Sequence, residues 1–208
     1  MALDAVDICN LALTRVGIAQ QVAAIDPPEE SIHGRVCALW YPACRDMVLR
    51  DFPWPFATRY RSLGLLDEDP PNDEWDYHYA YPTDCLRALR IVNPSSRDDS
   101  DKIPFEVSSI ASGSAGDGSV RVIFTDEADA VLKYIAAITD PTSFSPDFAS
   151  ALAWRIAAEI SDPLSVQEAR RERCERMYHD AITRAQASAL NEGGPDPEAD
   201  SSFITARR

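Results

Sequence analysis

Two prolines one residue apart, Pro53 and Pro55, fix where helical structure stops in this chain. Proline removes a backbone donor and pushes the preceding residue toward extended geometry, so a pair flanking Trp54 cannot sit inside a helix. The residues before the pair carry helical periodicity, and those after it break into short β-prone runs. Trp54, with Pro53, Pro55 and Phe56, is therefore expected to plug the junction between two lobes, burying a large area at low entropy cost.

Before the prolines, Leu3, Val6, Cys9, Leu13 and Val16 recur at three- and four-residue steps, with Ile8, Leu11 and Ala12 widening the face. This predicts a buried helix over residues 3–16, stopped by Gly17. A second helix is expected over 30–51, with Ile32, Val36, Trp40, Ala43 and Met47 as its inner stripe. Pro42 lies inside it and predicts a kink or two shorter helices. After the prolines, the runs 56–63, 75–81, 86–92, 105–107, 120–125 and 131–138 read as strands of an antiparallel sheet or small barrel. Helices return at Pro146, with Ser145 as N-cap and Phe148, Leu152, Ile156 and Ile160 in line. Pro163 stops that helix, and a last one spans 165–190 with Cys174, Met177, Ala181 and Ala185 on one face.

The fold class is accordingly α+β. Two N-terminal and two C-terminal helices form an antiparallel bundle, because their apolar faces need partners, and a small β-sheet or barrel lobe is inserted between them. The divisions are 1–55 for the N-terminal helices, 56–140 for the β-rich insertion, 141–190 for the C-terminal helices and 191–208 for an extended tail. In the tail, Gly193, Gly194, Pro195 and Pro197 break the helix, and Phe203, Ile204, Arg207 and Arg208 follow as a segment suited to docking on a partner.

Composition limits the function classes. The 208 residues carry a net charge of −14, which repels nucleic-acid phosphates and argues against a duplex-gripping role. The segment 67–76 holds six acids and no base, and reads as a solvated loop. Five cysteines without paired spacing read as reduced, buried apolar groups in a cytoplasm. Asp4 and Asp7 interrupt the first apolar stretch, so no signal sequence is expected, and no run is long enough to span a bilayer.

Candidate chemistry is sparse. His33 and Cys37 lie one turn apart, but Cys44 would sit about 10 Å farther along the helix, too far for the same ion. Gly113, Gly116 and Gly118 make a glycine-rich loop, yet it leads into the strand-like VRVIFT and not into a helix N-terminus. His33, His78 and His179 have no evident triad partners, and there is no nucleophile elbow or HExxH motif. No catalytic residue, metal or cofactor is expected. Arg170, Arg171, Arg173, Arg176 and Arg184 stripe the last helix, interleaved with Glu168, Glu172, Glu175 and Asp180. Arg170, Arg173, Arg176 and Arg184 are candidates for a subunit-facing surface.

An ordered set of motifs carries a resemblance: CNLALTRVG, ALWYPACRDMVLRDFPWPFA, AYPTDCLRALRI and YIAAITDPTSFSPDFASALAWRIAAEIS, followed by the long last helix. Together, over roughly residues 7–187, they resemble the head-to-tail adaptors of tailed phages, the tail tubular protein A and packaged-DNA stabilisation group. The resemblance implies a structural protein of the virion neck, assembled in the host cytoplasm. It would form a twelvefold ring under the portal protein that closes the DNA exit and docks the next tail or nozzle protein. Genomic DNA would pass through without specific binding, and no membrane is involved. The acidic 67–76 loop and the ending SSFITARR depart from the family pattern. The alternatives are a virion-associated hydrolase and a tail terminator or neck ring at another level of the channel.

Overall fold

The computed structural model describes residues 3–67, 70, 74–94, 102–111 and 118–192. Among them it contains four α-helices and two small antiparallel sheets of three strands each, a mixed architecture compatible with α+β. The described residues fall into two compact units, one within Met1–Ala38 and Ser145–Arg208, the other within Leu39–Phe144.

In the first unit, α1 (Ala5–Arg15) opens on a capping box in which the Asp4 carboxylate accepts from Asp7 N–H and the Asp7 carboxylate accepts from Asp4 N–H. Its C-terminus is a Schellman turn: Ile18 N–H donates to the Leu13 carbonyl (2.9 Å) and Gly17 N–H to that of Thr14 (3.0 Å). Gly17 takes φ +82°, which L side chains rarely adopt, and a Cβ there would fall on the Arg170 guanidinium. Arg170 Nη1 donates to the carbonyl of Val16 at 2.7 Å. Ile8, Cys9, Ala12, Leu13 and Val16 are buried as their spacing predicts, whereas Leu11 is exposed.

Helix α3 (Pro146–Ser161) starts where its sequence says: Ser145 Oγ accepts from Phe148 N–H, with Pro146 at the first position. Phe148, Leu152, Ile156 and Ile160 are all fully buried. Helix α4 (Glu168–Asn191) packs on α3, and α3 on α1. The buried stripe of α4 is Cys174, Tyr178, Ile182 and Ala185; Met177 and Ala181, expected inside, are only half-buried. Tyr178 explains the rotation. With Ile182 it replaces Met177 and Ala181 in the stripe, a larger apolar pair to bury, and its ring lies beside Arg155, 5.5 Å from the ring centre.

Helix α2 (Ile32–Asp51) is a single helix with Pro42 inside it, not the two shorter helices that were one of the alternatives expected. Pro42 is exposed, so water can satisfy the carbonyl it leaves unbonded one turn back. The expected inner stripe is also corrected. Cys37, Tyr41, Cys44 and Val48, at steps of four, three and four, are buried, while Ile32 and Met47 are about half exposed.

In the second unit, six strands form two sheets instead of the single sheet or barrel expected. β1 (Thr58–Ser62), β6 (Val131–Ala136) and β3 (Cys85–Ile91) make one sheet in the order β1-β6-β3. β2 (Tyr77–Ala80), β5 (Ser119–Thr125) and β4 (Glu106–Ala111) make the other in the order β2-β5-β4. In both, the central strand has the most apolar buried run: Leu132 and Tyr134–Ala136 in β6, and Val122–Thr125 in β5. Apart from the neighbours β4 and β5, the strands that pair are far apart in sequence, which is why local periodicity finds them but does not sort them into sheets.

Candidate assembly surface

The motif residues act structurally. Asn10 pairs through both ends of its amide with the backbone of Val22, Oδ1 accepting at 2.8 Å and Nδ2 donating at 3.0 Å, and so pins the connection after α1. Arg15 donates to the Ser150 carbonyl (2.7 Å) and hydroxyl (3.1 Å), and its guanidinium lies 4.1 Å over the Trp154 ring. Burial lowers its pKa to about 10, so it stays charged at neutral pH inside a largely apolar setting. Asp140 accepts from Thr142 N–H and Oγ1, which lowers its carboxyl pKa and starts the short 3₁₀ turn Pro141–Ser143.

Trp54 is fully buried and lies within the second unit. Its Nε1–H donates to the Val48 carbonyl at 2.9 Å. Val48 carries one of the last four carbonyls of α2, which have no partner within the helix, so the indole caps that end. Phe52 meets the Trp54 ring edge-on at 5.1 Å, and Phe56 stacks at 6.1 Å. Pro55 opens the 3₁₀ turn Pro55–Ala57, whose Ala57 N–H and following Thr58 N–H both return to the Trp54 carbonyl. Pro53 and Pro55 are exposed, and Phe56 is half-buried against Phe144 at 5.8 Å.

Of the α4 arginines, Arg170 is committed to the end of α1, while Arg173, Arg176 and Arg184 lie exposed. Arg176 meets Glu172 at 3.7 Å between well-exposed side chains, a contact worth little. Phe203, Ile204, Arg207 and Arg208 lie outside the described residues, as do Gly113 and Gly116 and most of the acidic stretch after Asp67.

No described group of His, Cys, Asp and Glu is placed to hold a metal ion, and no described helix is long and apolar enough to cross a membrane. Cys37 touches Cys9, whose thiol hydrogen bond lowers the Cys37 pKa. A cleft of about 320 Å³ in the first unit is lined by Arg155, Glu159, Asp162, Arg171, Glu175 and His179. Its charges are spent on one another: Arg155 pairs with Glu159 at 2.5 Å, and Arg171 with Glu175 at 3.5 Å and Asp162 at 3.7 Å.

What stands out is surface. On α2, Ile32, Leu39 and Met47 are 53%, 68% and 48% exposed, and Ala43 is exposed with them. These residues form a second apolar stripe about a third of a turn from the buried one. The sequence displays both stripes, and periodicity cannot say which turns inward.

A second surface was not anticipated. The strands β1, β6 and β3 carry five basic residues and no acid; Lys133, Arg87 and Arg90 share one face with Tyr60, where Arg87 Nη1 donates to the Arg50 carbonyl at 3.4 Å, while Arg59 and Arg61 alternate to the other. Tyr60 and Arg90 both pair in register with Lys133, and Arg87 pairs with Ile135 two positions along. Arg87 and Arg90 are three residues apart and would alternate faces on a regular strand. Register shifts between Cys85 and Arg87, and between Ala88 and Arg90, put both on the Lys133 face. Among the described residues, Asp84 pairs with the β1 arginines, 3.4 Å from Arg59 and 3.6 Å from Arg61, and it also accepts from Tyr134 Oη (3.0 Å).

Comparison with models of known families and with curated proteins finds no match.

Proposed function

We propose that this chain is a structural subunit of a tailed-phage neck, a head-to-tail adaptor that forms a ring under the portal protein, closes the DNA exit and receives the next tail component. The observation that carries the reading is the exposed apolar stripe of α2. Leu39 and Met47, with Ala43 between them, turn apolar side chains to water on one face of the helix within the second unit, a surface suited to a partner. A closed ring requires two different faces on every subunit, and a helix apolar on two sides supplies one of them while still closing its own core. The ordered motif set supports the same reading, since its residues hold helix ends, turns and the α2 terminus in place. In this reading the four helices form an antiparallel bundle with the two sheets as an inserted lobe, and Phe203, Ile204, Arg207 and Arg208, outside the described residues, dock on the portal or a neighbour.

The test is to mix the protein with assembled portal rings of its phage and image the product by negative stain. A ring of density beneath the portal is expected, and Leu39→Glu with Met47→Glu should abolish it while the circular dichroism spectrum is kept. Portal rings that stay bare with the native protein would refute the proposal.

A further inference from the structure

We propose that Cys9 and Cys37 form a redox pair, which locks α1 to the start of α2 through a disulfide when a hydroperoxide reaches it. The inference is independent of the adaptor reading.

All five cysteines are buried free thiols. A thiol in an apolar interior is ordinarily inert packing, a small apolar group with a weak donor. Cys9 and Cys37 differ in having each other. Cys9 lies on α1 and Cys37 on the second turn of α2, both 0% exposed and both in the first unit. The Cys9 thiol donates to the Cys37 sulfur, so two nucleophilic groups from different helices are in contact. Cys174 of the same unit is on α4, and Cys44 and Cys85 belong to the other unit.

The contact decides the chemistry. The hydrogen bond from Cys9 favours the thiolate of Cys37, and it outweighs burial and the charge of Glu29, which favour the thiol. Cys37 is therefore the sulfur that attacks. Its thiolate takes one oxygen of the peroxide, the O–O bond breaks, and the other oxygen leaves with a proton, as water from hydrogen peroxide or as an alcohol from an alkyl hydroperoxide. Cys37 is then a sulfenic acid. The Cys9 sulfur, already against it, attacks the Cys37 sulfur; the S–O bond breaks, and the hydroxyl leaves with the Cys9 proton as water. Two thiols and one hydrogen peroxide thus give one disulfide and two waters, with two electrons passing from the sulfurs to the peroxide oxygens. A thiol buried by itself has no such resolving partner and can only climb to sulfinic acid.

Burial sets the conditions. Neither sulfur meets solvent, so the peroxide enters only when α1 or the start of α2 opens locally, and the lock closes slowly. In a reducing cytoplasm the pair stays as two thiols, and in oxidising surroundings the disulfide persists. Once formed, it ties the two helices across the connection between them and closes a loop of about 28 residues.

The experiment treats the full chain with hydrogen peroxide at neutral pH, alkylates the remaining thiols in denaturant and maps the tryptic peptides without reduction. A peptide pair joining Cys9 to Cys37 is expected. Cys37 and Cys44 share the peptide between Arg35 and Arg45, so a Cys44→Ser chain fixes the assignment. The oxidised chain should melt about 5–15 °C higher through closure of the loop, and dithiothreitol should reverse the rise. Cys37→Ser treated in the same way should show neither the linkage nor the rise, and it controls for methionine oxidation; the peptide map of the native chain decides the matter if that variant fails to fold. Thiols that all remain open to alkylation would overturn the proposal. So would a linkage to another cysteine in place of this one, sulfinic acid at Cys37 without linkage, or a linked chain that melts no higher. Portal binding enters none of these readouts, so failure here leaves the adaptor reading standing, and bare portal rings leave the redox pair standing.

Discussion

Replacing Trp54 tests the central packing claim. The side chain is wholly buried, donates to the Val48 carbonyl and is flanked by Phe52 and Phe56. Truncating a buried tryptophan to alanine costs about 3–5 kcal/mol through lost transfer energy and the cavity left behind. Trp54→Ala also orphans the Val48 carbonyl, worth about 1–3 kcal/mol where the group stays dry, which places the variant at the upper end of that range. Trp54→Phe keeps most of the apolar area and loses the cap, so it should cost about 1–2 kcal/mol. For a chain of this size each kcal/mol moves the melting temperature by about 2–4 °C, so Trp54→Ala should melt about 10–20 °C lower and Trp54→Phe only a few degrees lower. Urea titrations followed by circular dichroism would give the free energies, and calorimetry the melting temperatures. If Trp54→Phe proved as damaging as Trp54→Ala, the indole hydrogen bond and not the packing would be dominant. If neither moved the midpoint, the account of this residue would be wrong.

The end of α1 offers a second test. Gly17→Ala should destabilise the chain by about 1–2 kcal/mol from its positive φ alone and by more from displacing Arg170, whereas Arg170→Ala in the same chain should recover part of the loss. A double-mutant cycle with no coupling between the two positions would refute the contact. Tyr81 supplies a pH prediction. Burial, then its hydrogen bond with Cys85, raises its pKa to about 12, against the opposing effect of Arg121, which lies 3.8 Å over the ring. A raised folded pKa means that its contribution is intact below the ordinary tyrosine value of about 10 and is lost as pH rises toward 12. Phenolate absorbance should show a late step that Tyr81→Phe removes, and stability should fall less steeply over that interval in the variant.

Much of the local structure was legible because it is local. Gly17, Ser145 and Pro146 mark helix ends where they were expected to, whereas Asp4, which fell inside the first helix as read from the sequence, caps it instead. The buried face of α2 was not legible, because Ile32, Leu39 and Met47 repeat as regularly as Cys37, Tyr41, Cys44 and Val48, and only tertiary packing chooses between them. The pairing of β1 and β3 with β6 was hidden for a different reason: the partners lie tens of residues apart, and side-chain alternation fixes a face but not a neighbour. The basic sheet face was hidden twice over, since Arg87 and Arg90 have the wrong spacing to share a side until bulges intervene. The apparent arginine stripe of α4 reads as one surface in sequence, yet Arg170 turns to the Val16 carbonyl and leaves it.

The outward stripe of α2 also bears on how such a chain stays in solution. A row of exposed leucine, isoleucine and methionine invites clumping, and each molecule is kept apart from its copies mainly by their mutual repulsion at −14. That protection is electrostatic and therefore conditional. Toward pH 4.5, where the net charge vanishes, the repulsion is lost while the apolar row remains, and the chain should precipitate there far more readily than its composition alone suggests. Acidity thus works as a built-in dispersant for a chain with one sticky helix face.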